Sequence, residues 1–142
     1  MNRKAESKRQ QRLYGITLEE KEKQIVEQGG VCAICGRPPG KKNLSTDHAH
    51  SYRYIKIVVE RGDWETSYMW RARFIIREQG VSVYGQTYLD AVRQARRFIK
   101  RESVRGQICW TCNTALQKFR DNPDLMEKSA AYIRKFLERK VR

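Results

Sequence analysis

The hydrophobic pattern changes period along the chain, and each change marks an element. The first dozen residues, MNRKAESKRQQR, are polar and basic without periodicity, and are expected to form either a mobile phosphate-binding arm or a disordered tail. Thr17-Leu18-Glu19-Glu20 is a capping-box pattern that opens a helix ending at Gly29-Gly30. Cys32-Ala33-Ile34-Cys35-Gly36 follows as a knuckle. Arg37 to Lys42, with two prolines and a glycine, reads as a loop, and Asn43 to His50 as a short extended piece.

Between residues 51 and 103 the pattern turns to that of a sheet. Strand-like runs are predicted at Tyr54–Val59, Tyr68–Ile76 and Val81–Tyr84. In the second, Trp70, Ala72, Phe74 and Ile76 fall on one face, and Arg71, Arg73 and Arg77 on the other, because strand side chains alternate. Thr87 then caps a predicted helix to about Arg101, with Tyr88, Ala91, Val92, Ala95, Phe98 and Ile99 along one stripe. A strand resumes at Val104–Ile108, followed by Cys109-Trp110-Thr111-Cys112 and a short helix from Asn113 to Phe119. Asn122 caps a last helix with Pro123 in its first position, running to about Lys140 with an apolar stripe at Leu125, Ala130, Ile133, Phe136 and Leu137. The expected fold is therefore α+β. A discontinuous domain of residues 1–50 and 104–142 carries an inserted unit, residues 51–103, of three strands and a helix.

Charge narrows the function. The chain carries 30 Lys and Arg against 16 Asp and Glu, a net charge of +14, with a pI near 10.0. Such an excess suits a polyanion, whose condensed counterions are released when phosphates are neutralised. A ribosomal-type RNA binder or a merely soluble basic protein would share that balance. No apolar run is long enough to span a bilayer and the first residues have no secretory pattern, so a cytoplasmic location, in a bacterium or a phage-infected cell, is expected. Cysteines in that reducing setting favour metal ligation over disulfides.

Two clusters carry chemistry. The CxxC pairs Cys32/Cys35 and Cys109/Cys112 have the spacing that turns two thiolates onto one tetrahedral ion, and together they would close a structural zinc site. Two disulfides or buried free thiols are the plainer readings. The second cluster is Asp47-His48-Ala49-His50, which contains both histidines of the chain. An imidazole beside a carboxylate offers a base for water and an oxygen ligand for a hard cation, although a surface loop would look the same. Cys32, Cys35, His48 and His50 as a mixed zinc site is a further alternative, which leaves Cys109 and Cys112 unexplained. Asn113, after the last cysteine, is either a helix cap or a metal ligand.

Taken in order, Tyr14-Gly15-Ile16-Thr17, Gly29-Gly30-Val31-Cys32-Ala33-Ile34-Cys35-Gly36, Asp47-His48-Ala49-His50, the run Val104 to Asn113 and Phe119-Arg120-Asp121-Asn122-Pro123-Asp124-Leu125 resemble the phage recombination endonuclease VII family, within the wider HNH nucleases. The resemblance implies a ββα-metal core, zinc on the four cysteines, magnesium (or manganese in its place) on Asp47 and Asn113, His48 as general base and His50 as the second motif histidine. Two departures stand out. Leu116 occupies the position, one turn past the asparagine, where the family prototype has an acidic residue. Residues 51–103 replace the short turn that joins the motif strands in the family. The insert itself resembles, more weakly, an Apetala-type DNA-binding domain through Trp70-Arg71-Ala72-Arg73 and Val83-Tyr84-Gly85-Gln86-Thr87-Tyr88. That likeness implies DNA contacts by Trp70, Arg71, Arg73 and Arg77, and Arg105 is added as a flanking contact; a stabilising insertion with a solvated arginine face is the alternative. The function expected is a metal-dependent DNA endonuclease of site- or structure-specific type (homing or nicking, restriction, or junction-resolving). A non-catalytic zinc-stabilised DNA-binding protein is the rival, and a homodimer is left open.

Overall fold

The computed structural model describes residues 2–62 and 69–140. It is mixed α and β, with a two-stranded and a three-stranded antiparallel sheet. The first residues are a helix, α1 (Arg3–Tyr14), in place of the expected arm or disordered tail. Its sequence lacks an apolar stripe because it is held by other means. The Asn2 side chain caps it by accepting from Lys4 N, and Arg3 reaches both carboxylate oxygens of Glu22 at 2.8 and 2.6 Å. At its end, Gly15 adopts φ 74° and lies so near the neighbouring helix that an added Cβ would stand 2.4 Å from the Arg97 carbonyl oxygen. Only glycine fits that position.

The capping box at Thr17 and Glu20 is present and opens α2 (Leu18–Glu27), which closes before Gly29 and Gly30, both at φ 75°. After the first knuckle, β1 (Ser45–His48) leads into a 3-10 turn at His50–Tyr54. The strand expected at Tyr54–Val59 therefore begins later, as β2 (Val58–Arg61). Next come β3 (Trp70–Ile76) and β4 (Gln79–Gly85); the expected start of the middle strand, Tyr68, lies outside the described residues. Arg77 (φ 48°) and Glu78 (φ 66°) form the two-residue turn between them, the left-handed pair that matches strand twist. Arg77 thus leaves the strand: it donates to the Tyr52 hydroxyl and to the Glu102 carbonyl, and does not continue the row of Arg71 and Arg73.

The remaining elements are α3 (Tyr88–Ser103), β5 (Val104–Ile108), α4 (Trp110–Lys118) and α5 (Pro123–Lys140). The α4 helix starts three residues earlier than the sequence pattern suggests, so Asn113 sits inside its first turns and its N–H donates to the Cys109 carbonyl. It is not a cap. The predicted row on β3 does face α3: Ala72, Phe74 and Ile76 are buried against Ala91, Ala95 and Ile99. Trp70 belongs to this covered side, edge-on to Tyr88 at 5.5 Å, and not to the arginine face. Along α5, Leu125, Ile133 and Leu137 remain exposed. Among the described residues no helix is long and apolar enough to cross a membrane.

Candidate active site and metal centre

The antiparallel pair β1–β5 joins the two halves of the chain. Its register shifts at Asp47 and His48: Asp47 faces Gly106 while His48 faces Val104, leaving Arg105 without a partner across the ladder. Such a bulge re-aims the extra side chain. Here it turns Arg105 onto Asp47, with Nε 2.7 Å from one carboxylate oxygen and a terminal nitrogen 2.9 Å from the other. The same terminal nitrogen donates to Asp121 at 3.1 Å. Asp121 stands in the tight link to α5, where it and Arg120 both have φ 53°. The guanidinium of Arg105, expected from the sequence as a DNA contact, bridges two carboxylates, and Asp47 is only 7% exposed.

Next to Asp47, the His48 ring lies between Tyr14 of α1, edge-on at 5.3 Å, and His50 at 4.8 Å. Burial holds His48 below the ordinary histidine pKa, and the neighbouring charges of His50, Arg53 and Arg105 act in the same direction against the opposing pull of Asp47. That balance favours the neutral ring. Behind β1 runs a polar chain that the sequence pattern does not reveal. The Thr46 hydroxyl lies 3.2 Å from Gln10 Oε1 and 3.1 Å from Gln107 Oε1, and Gln107 donates to Gln24 at 2.8 Å. Gln28 bonds both the N–H and the carbonyl of Gln107, as a neighbouring strand would. Helices α1 and α2 and both strands are thereby fixed around the residue that precedes Asp47. Scattered glutamines give no periodic signal, so only the fold reveals them.

The knuckles meet at one point. The sulfurs of Cys32, Cys35, Cys109 and Cys112 all lie within 4.8 Å of one another, and Cys35 and Cys109 are 3.9 Å apart. Four ligands at a zinc–sulfur distance of about 2.3 Å would stand roughly 3.8 Å apart. The set can therefore bind a structural zinc with little adjustment. No disulfide joins any two of the four in this structure. Among the described residues neither histidine joins a metal-ligating group, which removes the mixed cysteine–histidine site. Burial raises Cys32, yet backbone hydrogen bonds at Cys35, Cys109 and Ile34 outweigh it and bring that thiol down to about 6. Cys112, raised by burial and then by its three sulfur neighbours, reaches about 12. One proton leaves this cluster easily, and a divalent cation would displace the others.

Between the first knuckle and β5 is a cleft of about 250 Å³ lined by Ala33, Ile34, Asp47, Arg105, Ile108 and Leu116. Leu116 thus faces the Asp47 cleft. Asn113, three residues earlier, shares its side of α4, the helix that packs on β1. On the far sheet, Arg71 and Arg73 both pair with Glu60, Arg71 through Nε at 2.6 Å and Arg73 at 3.0 Å.

Comparison with known proteins supplies the family. The model of one family, recombination endonuclease VII, matches residues 7–135. No curated protein and no solved structure matches the chain. With nearly the whole length aligned, from α1 into α5, the chain belongs to the recombination endonuclease VII family.

Proposed function

We propose that this protein is a metal-dependent DNA endonuclease of the HNH type, with β1, β5 and α4 as its ββα core and the four cysteines as its structural zinc site. Membership of the endonuclease VII family implies a nuclease acting on DNA. The observation that carries the finer reading is the position of Asp47 and His48 side by side on a strand fixed to the cysteine cluster, with Asp47 lining a cleft edged by α4.

Asp47 and Asn113 would hold a magnesium ion, since a carboxylate and an amide offer the hard oxygens that ion takes. The Asp47 carboxylate is paired with the Arg105 guanidinium on both its oxygens, so it would have to share or leave that pair to take the ion. A bound ion would neutralise charge gathering on the phosphate being cleaved. His48 accepts the proton of the attacking water, for which it must be neutral, and Tyr14 and His50 hold its ring in place. Arg105 orients Asp47 and is itself anchored by Asp121. On the insert, Glu60 sets Arg71 and Arg73 side by side on the exposed sheet face, where they can meet the edges of bases. That favours a nuclease that selects its site by sequence over one guided by DNA shape alone, with a homing, restriction or junction-resolving role. A homodimer is part of this reading, with Leu125, Ile133 and Leu137 of α5 as the row a second copy would cover; solution mass measures it.

Incubation of the zinc-loaded protein with supercoiled plasmid and with a synthetic four-way junction, with Mg²⁺ or with no divalent cation added, tests the proposal. Cutting in Mg²⁺ alone is expected. One observation favours a second reading, a non-catalytic zinc-stabilised DNA-binding protein: Arg105 already neutralises Asp47. Tight binding with no cutting under any divalent cation is its signature.

A further inference from the structure

The helices α1 and α3 meet at Gly15 in backbone contact and leave a groove of about 390 Å³ along their outer faces. Lys8 and Arg12 of α1 line one wall; Arg93, Arg96, Arg97 and Lys100 of α3 line the other. At 100° per residue the four α3 positions fall within an arc of about 100°. That arc is opposite Ala91, Ala95 and Ile99, which are buried against the sheet. The segregation follows from packing: the sheet takes the apolar stripe, and the charges are left to face outward. No acidic side chain lines the groove. Asp90, at its edge, stands 3.7 Å from Arg93. Among the described residues Lys8, Arg12, Arg96 and Arg97 have no carboxylate partner, in contrast to Arg3, Arg71, Arg101 and Arg105, which all do. Lys100 fixes the floor by donating to the Arg12 carbonyl at 2.6 Å.

Both walls lead to the candidate active site. Tyr14, whose ring touches that of His48, is two residues past Arg12. On the other wall, the Ser103 carbonyl, one turn past Lys100, accepts from Ala49 N at 2.8 Å, between the two histidines. The two helices that line the groove are therefore the ones that touch the Asp47–His50 segment.

We propose that the α1/α3 groove is a phosphate track that seats the DNA backbone beside the scissile phosphate, a binding surface distinct from the arginine face of the sheet. It would take backbone without regard to sequence, because its cations are flexible side chains from two helices and no planar pair is arranged for a base edge. The row from Arg93 to Lys100 spans roughly 10 Å of helix, about three base-pair steps of one strand. The proposal rests on the nuclease reading for its choice of polyanion.

The test is the salt dependence of affinity of the zinc-loaded full chain for a labelled duplex, with no magnesium and no chelator added. Each phosphate that is no longer neutralised lowers the slope of log affinity against log salt by about 0.9. Arg96→Gln/Arg97→Gln is therefore expected to lower it by about 1.8, equally for duplexes of unrelated sequence. Lys23→Gln/Lys128→Gln, which removes the same charge from residues outside the groove, is expected to leave it unchanged. Circular dichroism and zinc content establish that each variant is folded. An unchanged slope in the folded groove variant, or an equal loss in the control, overturns the track while leaving the nuclease reading intact. A wild-type protein that binds no DNA overturns both.

Discussion

The three-stranded sheet and α3 bury Ala72, Phe74, Ile76, Ala91, Ala95 and Ile99 in one continuous apolar cluster, with Phe98 and Val83 packed against it. Around β1 and β5 the buried apolar cluster is only Cys32, Leu44 and Ile108, with Ile16 buried apart from it, and much of the remaining interior is polar: Gln10, Thr46, Asp47 and Gln107. The first region holds itself by removing hydrocarbon from water. The second has too little hydrocarbon for that, and relies on hydrogen bonds between amides and on the four sulfurs. On the proposed reading, the difference places rigidity where the chemistry would need it. A polar interior with a metal clamp would fix strand geometry at Asp47 and His48, whereas the larger sheet needs only to be a stable platform beneath Arg71 and Arg73.

The largest effect expected from this contrast is that of metal removal. Structural zinc contributes about 10–16 kcal/mol in small zinc domains. Chelation, or Cys109→Ser, is therefore expected to release the metal and strip hydrogen-exchange protection from β1 and β5, while β3 and β4 retain theirs. Equal loss in both sheets would break the comparison. In the opposite direction, Phe74→Ala should cost about 3–5 kcal/mol, the usual scale for emptying a buried aromatic site. Zinc content should be unchanged, and denaturant unfolding with metal analysis measures both.

How far the sequence discloses each region follows the same division. The larger sheet is legible in its alternation: the period-two row on β3 and the stripe on α3 meet as expected, because apolar packing writes itself into spacing. Arg77 is the exception. A two-residue turn ends the strand one position before Arg77, whereas Trp70 shares the parity of the buried row. In the other region the knuckles and the capping box are legible, since each is a local chemical device. The helix α1, the Gln10–Thr46–Gln107 chain and the Arg105 clamp are not. Each depends on contacts between residues far apart in sequence, and none leaves a periodic trace.

A smaller effect sharpens the contrast on the functional side. Arg71→Ala and Arg73→Ala, made on the stable platform, should each cost roughly 1–3 kcal/mol at particular base positions if the face reads bases. If it touches phosphates alone, each should weaken all sequences equally. Cleavage-site mapping on a randomised library separates these outcomes, and an unchanged site profile in the folded double variant would make the sheet a passive platform.

The most direct test of the account is single-turnover cleavage at saturating protein, with zinc content measured for every preparation. Wild type is compared with Asp47→Ala and His48→Ala in Mg²⁺. Both variants should keep zinc and DNA affinity while cleaving at least about 100-fold more slowly, the scale for loss of a metal ligand or a general base. Zinc-loaded, folded variants that cut at the wild-type rate would contradict the assignment of this site.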